Sequence, residues 1–228
     1  MMHNPPVADK GIGANQATEN ASIPVLTSSL IRQANDQPIP GYRLIERIGK
    51  GGYGEVWKCE APGGLFKAIK FVFGELSSIG ENAATAEQEL QSLQRVKLIR
   101  HPFLLSVERV EIIRDQLIIV TELADRNLLE VRNEYQKSGL PGVPRQELLS
   151  YLREAAEALD WMNLQFGLQH LDIKPQNLFL VSNHIKVADF GLVASLWETK
   201  SDATLIAGTT PAYCPPEVYR GSISPMSD

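Results

Sequence analysis

The chain has 228 residues, a net charge of −5, and apolar and charged fractions of 43% and 21%, which is the profile of a globular protein of one large or two small domains. The acidic balance, with no long basic run, argues against nucleic acid or an anionic membrane as the main partner, and no apolar run reaches the ~18 residues that a membrane span needs. The two cysteines, Cys59 and Cys214, make no disulfide framework, and the N-terminus lacks the order of a secretion signal, so the expected setting is cytoplasmic.

Residues 1–38 are rich in Asn, Ala, Ser, Pro, Gln and Thr without sustained periodicity and read as a disordered extension. Pro38 and Pro40-Gly41 close it. From Tyr42 the pattern becomes strand-like, with Tyr42, Leu44 and Ile48 set among Arg43 and Arg47. The glycine-rich run Gly49-Lys50-Gly51-Gly52-Tyr53-Gly54 follows, and then Val56. Glycines there free the backbone to lie close to phosphate oxygens. This run lies between two strands, not between a strand and a helix, which argues against a dinucleotide fold. Residues 66–72 read as a third strand, with Ala68 and Lys70 on one face and Val56 on the same side.

Residues 81–97 are helical in pattern, with Ala83, Ala84, Ala86, Leu90, Leu93 and Val96 on one face. Residues 106–113 and 116–122 form two strands about the polar turn Arg114-Asp115. Asp125 and Asn127 suit the start of the next helix as capping residues. A long amphipathic helix spans 145–166, with Leu148, Leu152, Ala155, Ala156, Leu159 and Met162 at helical spacing, and Gly167 ends it.

The richest stretch is 170–191. Two short apolar runs, 178–181 and 185–188, flank a polar turn at 182–184, the pattern of a tight hairpin. Asn177 stands just before the first strand and Asp189 just after the second, so the hairpin brings an amide oxygen and a carboxylate together, within roughly 5 Å between facing Cα atoms. Hard oxygen donors of this kind suit Mg²⁺. Asp172 and Lys174 lie on the loop leading in, a candidate base and a cation, and Pro175 and Asn177 make a helix there unexpected.

These motifs together resemble those of the eukaryotic-type protein kinases. His170-Leu171-Asp172-Ile173-Lys174-Pro175-Gln176-Asn177 is similar to their catalytic loop and Asp189-Phe190-Gly191 to their D-F-G motif, and Lys174 is the choice of the Ser/Thr branch. The resemblance implies a bilobal α+β fold: an N-lobe of antiparallel sheet and one helix over 42–124, and a mainly helical, incomplete C-lobe over 125–228. It implies ATP and Mg²⁺ as cofactors and phosphoryl transfer to Ser/Thr hydroxyls of protein substrates. Asp172 would accept the hydroxyl proton, Asn177 and Asp189 would hold the metal, and Lys70 would contact the α- and β-phosphates, with Ala68-Ile69-Lys70 matching the V-A-I-K motif apart from Lys67 in place of Val. Ile48, Gly49, Lys50, Gly51, Gly52, Tyr53, Gly54, Val56, Ala68 and Phe179 would surround the nucleotide, and Glu122 and Ala124 would face the adenine edge. Thr121 matches the small gatekeeper, which implies a pocket open behind the adenine.

An acid of the helix should pair with Lys70. Glu89 fits best and Glu87 competes. Residues 208–217 resemble the G-T-P-x-Y-x-A-P-E segment, making Thr210 the substrate-pocket threonine beside Asp172 and Lys174, and giving Glu217 an Arg partner further on. Leu171 replaces the Arg that many of these enzymes use to bind a loop phosphate, so activity independent of phosphorylation at Thr199, Ser201 or Thr204 is implied. The resemblance ends at Asp228, where that family starts its next helix, so a truncated sequence with uncovered apolar surface is expected, and any membrane contact would come from an anchor beyond it. A nucleotide-binding pseudokinase or scaffold without turnover is the competing function.

Overall fold

A computed structural model describes residues 32–51, 54–73, 81–190, 194–195, 210–220 and 224–228. Residues 33–228 form one unit. Its first part is a five-stranded antiparallel sheet in the order β1-β2-β3-β5-β4: β1 (Arg43–Gly51), β2 (Gly54–Ala61), β3 (Leu65–Val72), β4 (Val107–Ile113) and β5 (Gln116–Glu122). The helix α1 (Glu81–Val96) lies between β3 and β4. β4 and β5 are joined by Arg114-Asp115, both at positive φ, the backbone of a two-residue hairpin turn whose twist matches that of the strands.

The second part is mainly helical. It holds the two-residue strand β6 (Arg126–Asn127), α2 (Leu128–Lys137), α3 (Arg145–Phe166), β7 (Leu168–Gln169), the hairpin β8 (Leu178–Val181) and β9 (His184–Val187), β10 (Ala194–Ser195) and α4 (Pro216–Tyr219). β6, β8 and β9 form a small sheet, and β7 pairs with β10. Asn127 caps α2: its side chain accepts from the Glu130 N–H while the Glu130 carboxylate accepts from the Asn127 N–H. Asp125, the other expected cap, instead accepts from the Ser182 N–H in the hairpin turn. Gly167 adopts the left-handed conformation at the end of α3, as the sequence predicts.

Two apolar clusters sit on the two faces of the large sheet. One joins α1, the inner face of the sheet and the helical part through Leu93, Val96, Ile119, Ala155, Met162, Val187 and Phe190. The other holds Leu44, Trp57, Cys59, Ile69, Phe71, Ile118 and Val120, and Ile39 completes it. Ile39 is wholly buried. The segment before β1 is therefore part of the fold: Asn35 N–H donates to Leu44 O, and Leu44 N–H to Asp36 O. The sequence-based extension of 1–38 is corrected for its last residues, because tertiary contact orders a stretch whose local propensity is weak. Residues 1–31 lie outside the described residues.

Three further expectations are adjusted. The hairpin turn is only Ser182-Asn183, both at positive φ, with His184 already in β9. A short 3-10 turn, Pro175–Asn177, occupies the loop where no helix was expected, since proline suits the first position of such a turn. On α3 the buried line is Tyr151, Ala155, Ala158 and Met162, while Leu152 and Ala156 face outward. Tyr151 can turn inward because its hydroxyl donates to Glu147 Oε1 at 2.9 Å. Among the described residues no helix is long and apolar enough to cross a membrane.

Truncating Ile39 tests the role of the first segment. Ile39→Ala should lower stability by about 2–4 kcal/mol, read as a fall in the urea midpoint, because the cavity opens in a filled cluster. An unchanged midpoint would show that the cluster closes without it.

Candidate active site

A cleft of about 270 Å³ lies between the sheet and the helical part. Ile48, Val56 and Ala68 form its roof, Thr121, Glu122 and Ala124 its rear wall, and Phe179 its floor. Strand register explains the roof and wall: Ala68 stands opposite Thr121, and Lys70 opposite Val56 on one side and Ile119 on the other. Past Thr121 the cleft continues to Leu93, Glu89 and Phe190, as a small side chain at that position permits.

The glycine-rich hairpin contributes Ile48 and Val56 to this lining, whereas Gly49, Lys50, Gly51 and Gly54 are not part of it. Gly54 has a packing reason of its own. A Cβ there would lie 2.3 Å from the backbone oxygen of Phe71, so the close approach of β2 to β3 demands glycine. Gly51 opens to free space, with nothing within 4 Å of a Cβ. Gly52, Tyr53, Gly191 and the whole of 196–209, including Thr199, Ser201 and Thr204, lie outside the described residues.

Lys70 projects from β3 into the cleft and bonds to two acids. Its Nζ lies 3.0 Å from Glu89 Oε1 on α1 and 2.7 Å from Asp189 Oδ1, just after β9. Of the two acids that competed, Glu89 makes the contact, and Glu87 is exposed and accepts from Gln91. Burial pulls the Lys70 ammonium down, but the carboxylates of Asp189 and Glu89 outweigh it, and the ammonium is held above the ordinary lysine value. Burial lifts Glu89 above the usual carboxylate range, against the pull of Lys70. The Lys70 charge, opposed by burial, holds Asp189 below that range.

The second group of residues surrounds Asp172. The β8–β9 hairpin pairs Leu178 with Val187, and Ala188 N–H donates to Asn177 O at 2.9 Å, so the hairpin closes with Asn177 and Asp189 at its open end. Asn177 Nδ2 donates to Asp172 O and to Asp172 Oδ2, both at 2.9 Å. Lys174 Nζ donates to the same Oδ2 at 2.7 Å and to Thr210 Oγ1 at 2.8 Å, and Thr210 in turn donates to Asp172 Oδ1 at 2.8 Å. Asp172 is thus buried and bonded at both oxygens. Among the described residues these bonds leave Asn177 Oδ1 and the second oxygen of Asp189 as hard donors beside the cleft, a set that suits Mg²⁺ completed by phosphates and water.

Some residues of the site had no signal in sequence reading. Asp228 accepts from the His170 N–H at 2.7 Å and from the Leu171 N–H at 2.6 Å, which holds Leu171 at a φ of +64°. His170 Nε2 lies 3.0 Å from Ala188 O, and its Nδ1 accepts from the Asp172 N–H. Its ring meets Phe190 edge-on at 5.5 Å. Leu171 itself is buried. Leu105, Val107, Leu123, Gln176 and Ala188 also line the cleft, and strand register could have supplied Val107, which stands opposite Thr121. Glu217 accepts from the Ser227 hydroxyl at 3.3 Å.

Comparison with known proteins agrees with this geometry. Residues 42–228 match the family model described as protein kinase domain. The chain belongs to the protein kinase family. It is 31% identical over 193 residues to CBL-interacting protein kinase 4 of Oryza sativa, covering 81% of this chain and 40% of that protein. It is 30% identical over 186 residues to NUAK family SNF1-like kinase 2 of Rattus norvegicus, covering 79% and 27%. Cyclin-dependent kinase-like 5 of Mus musculus is 27% identical over 184 residues, covering 79% and 19%. The chain therefore spans well under half the length of these kinase relatives.

The pair of acids on Lys70 yields a pH signature. Asp189, with its value lowered, stabilises the fold above the ordinary carboxylate value of about 3.9 and loses that contribution as pH falls through its lower folded value. Lys70→Met leaves both acids without a partner at neutral pH, and protonation relieves them. The melting temperature of Lys70→Met should fall clearly below wild type at pH 7, and the gap should narrow as pH falls through the carboxylate range, starting above the ordinary Glu value because burial lifts Glu89. A gap independent of pH would contradict the ion-pair reading.

Proposed function

We propose that this chain carries the catalytic site of a protein serine/threonine kinase, which transfers the γ-phosphoryl group of ATP to a Ser or Thr hydroxyl. The observation that supports it most is that Lys70, Asn177 and Asp189 line one cleft, with Glu89 bonded to Lys70 and Asp172 adjoining the cleft through its bond from Asn177 Nδ2. Adenine would lie between Val56 and Ala68 above and Phe179 below, its edge toward the backbone at Glu122 and Ala124. Lys70 would bind the α- and β-phosphates, and its charge persists because two acids sustain it. Asn177 and Asp189 would hold Mg²⁺, which when bound offsets phosphate charge during transfer.

Asp172 orients the incoming hydroxyl and accepts its proton. Its Oδ1 carries the Thr210 hydroxyl, a protein hydroxyl in the position where a substrate hydroxyl would be received. Lys174 stands beside both and offsets charge on the transferred group. Little covalent chemistry is asked of the protein, and positioning can supply about 7–11 kcal/mol of the barrier reduction. Since Leu171 offers no cation, a loop phosphate would have no docking charge at that position, and turnover need not wait for it. The pseudokinase alternative draws no support from these side chains.

Transfer of labelled phosphate from ATP to a generic protein substrate tests the proposal. Asp172→Asn should lower the rate by about 10²–10⁴-fold, the usual loss on removing a general base. Equal labelling by the two proteins would exclude Asp172 from the reaction.

A further inference from the structure

Two ion pairs stand outside the proposed reaction. Lys67 Nζ on β3 lies 2.5 Å from Glu108 Oε1 on β4. Lys186 Nζ on β9 lies 3.1 Å from Glu122 Oε1 at the end of β5. The same Glu122 oxygen accepts the Ser106 N–H at 2.8 Å. Lys67 and Glu122 stand directly opposite in the β3–β5 register and therefore share a face. With Glu108 taken by Lys67, Glu122 is left to Lys186. Lys186 and Glu122 are 17% and 20% exposed, so water screens this pair less than a surface one.

The position of Lys186 gives the pair leverage. It stands opposite Phe179, the floor of the cleft, in the β8–β9 ladder. Its neighbour Val187 is fastened by backbone bonds to Phe103 and Leu105, just before β4. Glu122 belongs to the rear wall, beside Thr121, whose strand partner Ala68 is in the roof. The ion pair thus ties the floor strand to the rear wall, and Lys186 is not itself among the lining residues. In this arrangement Lys70 is already engaged with Glu89 and Asp189, so the clasp coexists with an assembled site.

We propose that Lys186 is a positioning residue for the nucleotide: by clasping the Glu122 carboxylate it sets the separation of roof and floor without touching the ligand. The proposal rests on the reading of the cleft as a nucleotide site. Without the clasp the cleft samples wider openings, and apparent affinity falls in proportion to the fraction that remains closed.

Calorimetric titration of the full chain with ADP in the presence of Mg²⁺ separates the outcomes, with a melting curve for each variant. Lys186→Met should weaken ADP about five- to twentyfold at low salt, less at high salt, while melting cooperatively. Lys186→Arg should recover most of the affinity. In a Glu122→Gln background Lys186→Met should add no further loss, because the pair is already broken. If Lys186→Met does not melt cooperatively, Glu122→Gln alone carries the expectation, since it keeps the shape of the side chain. Wild type binding ADP while Lys186→Met and Glu122→Gln bind it equally well or more tightly overturns the clasp alone, as does a full further loss in the Glu122→Gln background. Wild type failing to bind ADP removes the nucleotide reading, and the clasp with it.

Discussion

A single ammonium group holds the site together. Lys70 comes from the sheet, Glu89 from the one helix packed on it, and Asp189 from the hairpin of the helical part. Lys70 and Glu89 are costly to bury alone, while the Asp189 side chain stays 38% exposed. Glu89, 7% exposed, would be an unpaired carboxylate in an apolar wall, and removing one partner of such a pair typically costs about 3–5 kcal/mol. The ion pairs therefore fix the separation of three elements whose apolar contacts alone would tolerate sliding. Leu93 and Phe190, both in the cluster beneath, supply the burial that keeps the contact partly dry.

The loop at 170–177 depends on a second constraint, the geometry of its backbone. Leu171 and Asp189 both adopt positive φ, which costs non-glycine residues of order 1 kcal/mol each. Both positions are held by named contacts. Two N–H bonds to the Asp228 carboxylate hold His170 and Leu171, and Lys70 holds Asp189. The His170 ring bridges these two stretches, bonded to Ala188 O on one side and to the Asp172 N–H on the other. Asp189 lines the cleft, and Asp172 stands beside it, bonded to Asn177.

Much of this was legible in the sequence, for physical reasons that can be stated. The β8–β9 hairpin follows from two four-residue apolar runs and a polar turn, and closing it necessarily joins Asn177 to Asp189. Period-two alternation placed Ala68 and Lys70 on one face, and helical spacing placed Glu89 one turn before Leu93. What escaped was set by tertiary contact. Nothing in the spacing of Asp228 says that its carboxylate will reach two backbone N–H groups 57 and 58 positions away. Ile39 sits among turn formers, and its burial depends on a cluster gathered from four strands. The face of α3 moved for a similar reason: Tyr151 turned inward once Glu147 could accept its hydroxyl, and Leu152 turned out. The sequence marked Gly54 for approach to phosphate and gave no sign that a Cβ there would lie 2.3 Å from the Phe71 carbonyl oxygen.

The central claim is that Lys70, held by Glu89, faces a nucleotide whose metal is carried by Asn177 and Asp189. A crystal structure of the protein with Mg²⁺ and a non-hydrolysable ATP analogue tests it most directly. The account predicts the analogue in the cleft between Val56 and Phe179, its phosphates on Lys70, the ion on oxygens of Asn177 and Asp189, and the Lys70–Glu89 bond retained. An analogue bound elsewhere, or an ion remote from both oxygens with Lys70 turned away from Glu89, would contradict it.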